Sequence, residues 1–165
     1  MGINIGAMIA PVITQILAII GYLSDRFPAL GFLPTEPLAR ARIMETLAWM
    51  NNTVHPTFTR IYRPGNFVAS EAAQAELRQA ALASFREHLE RIQAMTAHAA
   101  PFLLGERLSF VDAYALVFLR WGGLVGIDPD TLPAYKAFAE KLAAAPAIAA
   151  AMAREGINLD TYKKP

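Results

Sequence analysis

The chain contains no cysteine, which excludes disulfide staples, thiolate metal sites and a cysteine nucleophile from its own residues. Charge is scarce and balanced: 15 Lys and Arg against 14 Asp and Glu leave a formal net charge of +1. So small a charge supplies no field for nucleic acid or an anionic membrane surface, and neither is expected as a partner. The three histidines have no metal-ligand spacing to one another or to carboxylates, so no metal is expected. Also missing are a glycine-rich phosphate loop, a Ser-His-Asp order and a basic-aromatic stripe. Apolar residues are abundant, 55% hydrophobic against 18% charged. That is rich for a soluble monomer and implies apolar surface that a partner covers. A length of 165 residues makes one domain that buries roughly two thirds of its extended surface without a staple.

Met1 to Ser24 carries no charged side chain, a length that reaches a membrane span. Gly2, Gly6, Gly21, Pro11 and the polar Asn4, Thr14 and Gln15 interrupt it, no basic n-region precedes it, and no small-residue cleavage site follows. A packed helix accounts better for its second half, and the protein is expected in the cytoplasm rather than in a membrane.

Helix signals cover most of the rest. Thr14 to Phe27 is expected to be helical, with Thr14 as cap and Pro28 as stop. Leu17, Ile20, Leu23 and Phe27 recur at helical spacing, while Ile16 and Ile19 give this helix a second apolar face. Thr35-Glu36-Pro37 opens a second helix, with Thr35 as cap, Glu36 as an acid in the first turn and Pro37 where no amide is needed; its stripe is Ile43, Leu47, Met50 and Val54, and Pro56 should kink or split it. Ser70 caps a long helix to about His98 with Leu82, Phe85, Leu89, Ile92 and Met95 inward, and Arg86 with Glu90 and Glu87 with Arg91 as helical ion pairs. A further helix runs from Phe110 to about Trp121 and ends at Gly122-Gly123. Another spans about Leu132 to Ala144, and a last one starts at Pro146 and is closed by Gly156. The fold class is all-α, a bundle of about six helices after a short non-helical leader. The domains are a leader at 1–13 and a helical domain at 14–165.

Gly105 to Tyr114 is the densest signal. Ser109 sits where its hydroxyl caps a helix, and Asp112, three residues on, reaches back to the cap's own amide. Phe110 to Trp121 holds only Asp112 and Arg120 as charged residues, so this helix should run through the centre of the domain. Gly-x-x-x-Ser-x-x-Asp-Ala-Tyr followed by an apolar helix ending Arg120-Trp121 resembles the sixth helix of the glutathione transferase fold, in its bacterial beta-like branch. Ile13 to Asp25, Thr53 to Phe58, and Ala144 to Ile157 agree in the same order. The resemblance is to the helical C-terminal half of that family. The thioredoxin-like half, with its catalytic Tyr, Ser or Cys, is not among these residues.

The resemblance implies a site. It places His55 on the helix that walls the substrate cleft, where a neutral imidazole would bond a thiol or polarise a substrate. The residues alone equally allow a helix-end histidine bonded to a carbonyl beside Pro56. Phe58, Tyr62, Tyr114 and Trp121 would line a hydrophobic electrophile pocket, whereas Phe118 is assigned to the core. Gln15 would grip the γ-glutamyl end of glutathione, the implied co-substrate. Ile16 departs from the small hydroxyl or glycine of the family, and no proline lies near Ile3, where the family's cis-proline would fall. Ser109 and Asp112 belong to folding, and His88 and His98 to the solvated surface. No catalytic residue is expected in this chain.

The expected function is therefore that of a glutathione transferase-like protein that keeps the hydrophobic electrophile-binding domain and is catalytically incomplete alone. The alternatives are an active transferase completed by a thioredoxin-like half from elsewhere, and a non-catalytic protein interaction module. A homodimer or a partner chain is expected over the first helix, with a hydrophobic small molecule as ligand.

Overall fold

The computed structural model describes residues 12–99 and 101–163. The leader expected at 1–13 lies almost wholly outside them; Val12 and Ile13 have no regular structure. The α-helices are α1 (Ile16–Arg26), α2 (Pro37–Trp49), α3 (His55–Tyr62), α4 (Glu71–Thr96), α5 (Phe110–Leu124), α6 (Pro133–Ala143) and α7 (Pro146–Glu155). A π-helical turn at Met50–Val54 joins α2 to α3 in one continuous rod, so the seven segments make six rods. Among the described residues the fold is all-α, with a single isolated β-bridge between Phe102 and Gly105.

The first helix begins later than its sequence suggests. Gln15, not Thr14, flanks it, with φ 71° and ψ 121° and no side-chain bond to the helix amides. A positive φ at a non-glycine residue breaks the chain's approach, so Thr14 stays outside the helix. Of the expected stripe, Ile20 is fully buried and Leu17 packs against the core, whereas Phe27 is exposed at the C-cap. Ile16 and Ile19, on the second face, are also exposed.

Glu36 rather than Thr35 caps α2. Its carboxylate accepts from the Leu38 amide at 2.9 Å and the Ala39 amide at 2.6 Å, and these amides hold its pKa below the ordinary carboxylate value. Ile43, Leu47, Met50 and Val54 are all buried. Pro56 offers no N–H and its ring crowds the carbonyl one turn back. The backbone answers with the wide turn, in which the His55 amide bonds Met50 five residues earlier. The helix is thereby re-aimed without being cut.

Ser70 caps α4 through the Ala73 amide at 3.2 Å, and Ala81, Phe85, Leu89 and Ile92 form its buried face. The basic members of its expected ion pairs turn elsewhere. Arg91 lies over the Trp49 ring, 4.1 Å from its centroid, and the Arg86 guanidinium donates to the Thr131 hydroxyl at 3.5 Å. His88, expected on the solvated surface, is half-buried: it packs edge-on against Trp49 at 5.9 Å, and burial lowers its pKa.

The central helix α5 carries the expected capping box. The fully buried Asp112 accepts through one oxygen from the Ser109 amide at 2.8 Å and the Ser109 hydroxyl at 2.7 Å, and through the other from the Leu103 amide at 2.8 Å. Gly122 and Gly123 do not end this helix; they lie inside it, and it runs on to Leu124. A Cβ on Gly122 would come within 2.8 Å of the Leu89 side chain, and one on Gly123 would strike Thr161 and meet the Tyr162 amide at 2.9 Å. They are there because α4 and the C-terminal segment approach too closely for a side chain. Thr161 and Arg120 strap that segment down, through Thr161 hydroxyl to Arg120 carbonyl at 2.7 Å and Arg120 guanidinium to Asn158 carbonyl at 3.0 Å. Gly126, at φ 87°, turns the chain away.

Asp112→Ala strands the buried amides of Leu103 and Ser109, and should destabilise the fold by about 3 kcal/mol or more. Ser109→Ala removes only the hydroxyl and should cost about 1 kcal/mol. Urea unfolding of both variants checks the order; equal, small losses would mean that the carboxylate does not hold the loop.

Candidate functional site

Phe110, Ala113, Tyr114, Val117 and Trp121 recur at three- and four-residue spacing on α5 and therefore share one face. Asn51 and His55, four apart across the π turn, face them, and Gln15 and Ile16 at the start of α1 close the third side. The groove they line has a volume of about 490 Å³. Three rods thus position it, and the wide turn before Pro56 sets the aim of His55.

His55 Nδ1 lies 2.8 Å from the Tyr114 hydroxyl. The pairing is with a phenol on another helix, not with a carbonyl beside Pro56. Burial lowers the pKa of His55 and pushes that of Tyr114 up to about 12, because a partly desolvated site disfavours the charged form of either. At neutral pH the pair is an uncharged imidazole and an intact phenol, able to bond a polar group without bringing a net charge into the groove.

Trp121 is the hinge of a larger aromatic cluster. Its ring meets His55 edge-on at 5.0 Å and stacks on Phe58 at 4.3 Å, and Phe58 in turn stacks on Tyr62 at 5.6 Å. On the other side Tyr114 stacks on the fully buried Phe118 at 4.5 Å, the core position expected for Phe118. Of the residues singled out from the sequence, Gln15, His55, Tyr114 and Trp121 meet at the main groove. Phe58 and Tyr62 do not open onto it. They line a second groove of about 300 Å³ beyond the His55 and Trp121 wall, together with Thr59, Arg63 and Asn66.

Sequence reasoning missed Ile16, Asn51, Phe110, Ala113 and Val117 as lining residues. The α5 members were recoverable, since Phe110 lies one helical turn before Tyr114, Ala113 lies beside Tyr114, and Val117 lies between Tyr114 and Trp121 on the same face. Asn51 was not, because its facing depends on the π turn. Among the described residues no group of three or more His, Asp or Glu gathers as a metal site, and no helix is long and apolar enough to cross a membrane.

Burial of neutral histidine carries a sign. The folded pKa of both His55 and His88 lies below the ordinary value of 6.5, so on acidification the unfolded chain takes up protons first. Stability should be constant above about pH 7 and fall from there until the folded pKa values are passed. Urea unfolding at pH 8, 7, 6 and 5 measures the slope, and His55→Gln and His88→Gln should each flatten part of it. A slope unchanged in both variants would place its origin elsewhere.

Comparison with known proteins agrees with this fold. The family model described as "Glutathione S-transferase, C-terminal domain" matches residues 50–146. The chain is 30% identical over 148 residues to glutathione S-transferase GST-4.5 of Xanthomonas campestris pv. campestris, covering 88% of this chain and 72% of that protein. Among solved structures, the glutathione S-transferase of Xylella fastidiosa superposes with a TM-score of 0.78 at 33% identity, over 90% of this chain and 72% of that one. A sphingomonad glutathione S-transferase complexed with glutathione superposes at 0.73 and 33% identity, over 88% and 69%. This chain belongs to the glutathione S-transferase family, and the part of the family it displays is the all-helical C-terminal domain.

Proposed function

We propose that the groove between α1, α3 and α5 receives the hydrophobic electrophile of a glutathione-conjugating reaction. The described residues supply the electrophile's side of the site. The sulfur-activating side has to come from a thioredoxin-like half, in the same protein or on another chain. The observation that carries this reading is the meeting of His55, Tyr114 and Trp121 with Gln15 at one apolar groove. Such walls hold an apolar ligand by area, and a few polar atoms orient it.

In the reaction, the glutathione sulfur bonds to carbon as the leaving group departs with its bonding electrons, and the thiol proton is released. No residue of this chain offers a thiol. His55 and Tyr114 stay uncharged near pH 7 and are suited to orienting a polar substituent or a sulfur. Glutathione fits at the start of α1 in part. Among the described residues no side chain caps the first turn, and Gln15 lies at the rim in its strained conformation, an arrangement that favours the anionic end of a peptide. Ile16 adds apolar contact only. The sphingomonad relative in complex with glutathione supports the same co-substrate here.

Ile13, Ile16, Ile19 and Tyr22 are exposed along or beside α1, which supports a covering partner, either a second copy or another polypeptide. Light scattering on the eluting protein should give a mass above that of one chain if a second copy is the cover; a monomer with or without glutathione would remove the second copy and leave only another polypeptide.

The purified 165-residue chain should conjugate 1-chloro-2,4-dinitrobenzene to glutathione no faster than the uncatalysed reaction. It should still bind a neutral naphthalene derivative, and Val117→Asp, which sets a carboxylate in the groove wall, should weaken that binding about tenfold or more. Robust conjugation would refute the division of labour, and binding indifferent to Val117→Asp would refute the groove.

A further inference from the structure

The second groove carries information that the first does not. His55, Thr59, Tyr62, Arg63 and Asn66 follow one another at helical spacing along α3 and the turn after it. Trp121, Phe58 and Tyr62 form its strip of stacked rings. Tyr62 at the outer end of that strip is 61% exposed, an unusual state for a large aromatic that stacks on a buried one. Arg63 is the only lining residue with a permanent charge. Among the described residues it has no carboxylate within 4 Å, whereas its neighbour Arg60 is engaged over the Phe67 ring. His55 and Trp121 line both grooves, so the two adjoin at these residues and a ligand reaching both has to cross the rim they form.

We infer that this groove selects electrophiles by charge: planar aromatic molecules that bear an anionic group, read by Arg63 and Asn66, at the end remote from the reacting carbon. The inference rests on the proposed function, in that the reacting end is assigned to the main groove. The helix itself sets a ruler. His55 and Tyr62, the ends of α3, are seven residues apart, roughly 10 Å along an α-helix, with Arg63 following at the C-cap, a span that suits a fused two-ring acid or one ring with a short linker. The rings supply sequence-tolerant stacking area, and the guanidinium, planar and with several donors, fits a carboxylate or sulfonate in two-point contact. Because Arg63 is exposed, its share is that of a solvated ion pair, so discrimination of a few-fold is expected rather than of orders of magnitude.

The test is calorimetric titration of the intact chain with 2-naphthoate and with its uncharged analogue 2-naphthamide, at low and high salt. Naphthoate should bind about fivefold more tightly at low salt, and the preference should shrink as salt screens it. Arg63→Gln should bring the ratio close to one while leaving naphthamide affinity within twofold, and Tyr62→Ala should weaken both ligands together. Equal affinities in the unaltered protein overturn the inference, as does a preference that survives Arg63→Gln. If naphthamide binds and Val117→Asp abolishes it, yet naphthoate gains nothing, charge selection alone is lost and the electrophile groove stands. If neither compound binds, both are lost.

Discussion

The buried carboxylate of Asp112 is the constraint on which the architecture turns. A carboxylate with no exposure is tolerable only if its lone pairs are filled, and three donors fill them: the Ser109 amide, the Ser109 hydroxyl and the Leu103 amide. Two of these start α5, and the third fastens the tight turn at residues 102–105 to the same helix. Since α5 is buried along most of its length, fixing its first turn fixes the axis on which α4 and α6 pack. It also fixes the phase of the face that carries Tyr114, Val117 and Trp121. A helix started one residue later would rotate that face by about 100° and dissolve the groove.

The electrostatics of the groove follow from the same burial. His55 and Tyr114 come from rods that meet only in the folded state, and each is partly withdrawn from water. Desolvation moves their pKa values in opposite directions, down for the imidazole and up for the phenol. The outcome is a polar pair of no net charge inside an apolar wall. That combination separates the main groove from its neighbour: the first offers hydrogen bonding without charge, the second ends at a guanidinium. Trp121, stacked on Phe58 and edge-on to His55, is the partition between two chemically different chambers.

What could be read from the sequence was whatever chemistry is local. Ser70 and the pair Ser109 and Asp112 announce helix starts because caps act over three residues; Pro37, Pro146 and Gly156 mark boundaries for the same reason. The stripe Ile43, Leu47, Met50 and Val54 was legible from spacing, and the family resemblance from motifs in their order. The errors share a cause. Gly122 and Gly123 resemble a helix stop, but their lack of side chains answers to Leu89 and to the C-terminal segment, neither of which is near in sequence. Glu36 outcompetes Thr35 as cap because its longer side chain reaches two amides. Thr14 loses its expected cap role because the positive φ at Gln15 breaks the chain there. His88 was read as solvated because nothing in its own helix reveals that Trp49 lies across from it. The division of the aromatic residues between two grooves was likewise invisible, since it depends on how Trp121 docks between α3 and α5.

The strain at Gln15 links the fold to the site. A non-glycine residue at φ 71° is held there against an intrinsic penalty of the order of 1 kcal/mol or more, and no cap bond at that residue offsets it. A chain free to relax would let Gln15 enter the helix, extend α1 by one residue and turn the side chain off the groove's rim. In the observed conformation the first-turn amides of α1 and the Gln15 side chain sit beside the same groove as His55 and Tyr114. The local backbone is less stable for it, while the middle of α1 is anchored: Ile20 is buried in the core, and the Ser24 hydroxyl donates to the Ile20 carbonyl at 2.7 Å. A helix anchored at its middle, with no side-chain cap at its start among the described residues, is suited to meeting a ligand there, since uncapped first-turn amides offer donors to an external group.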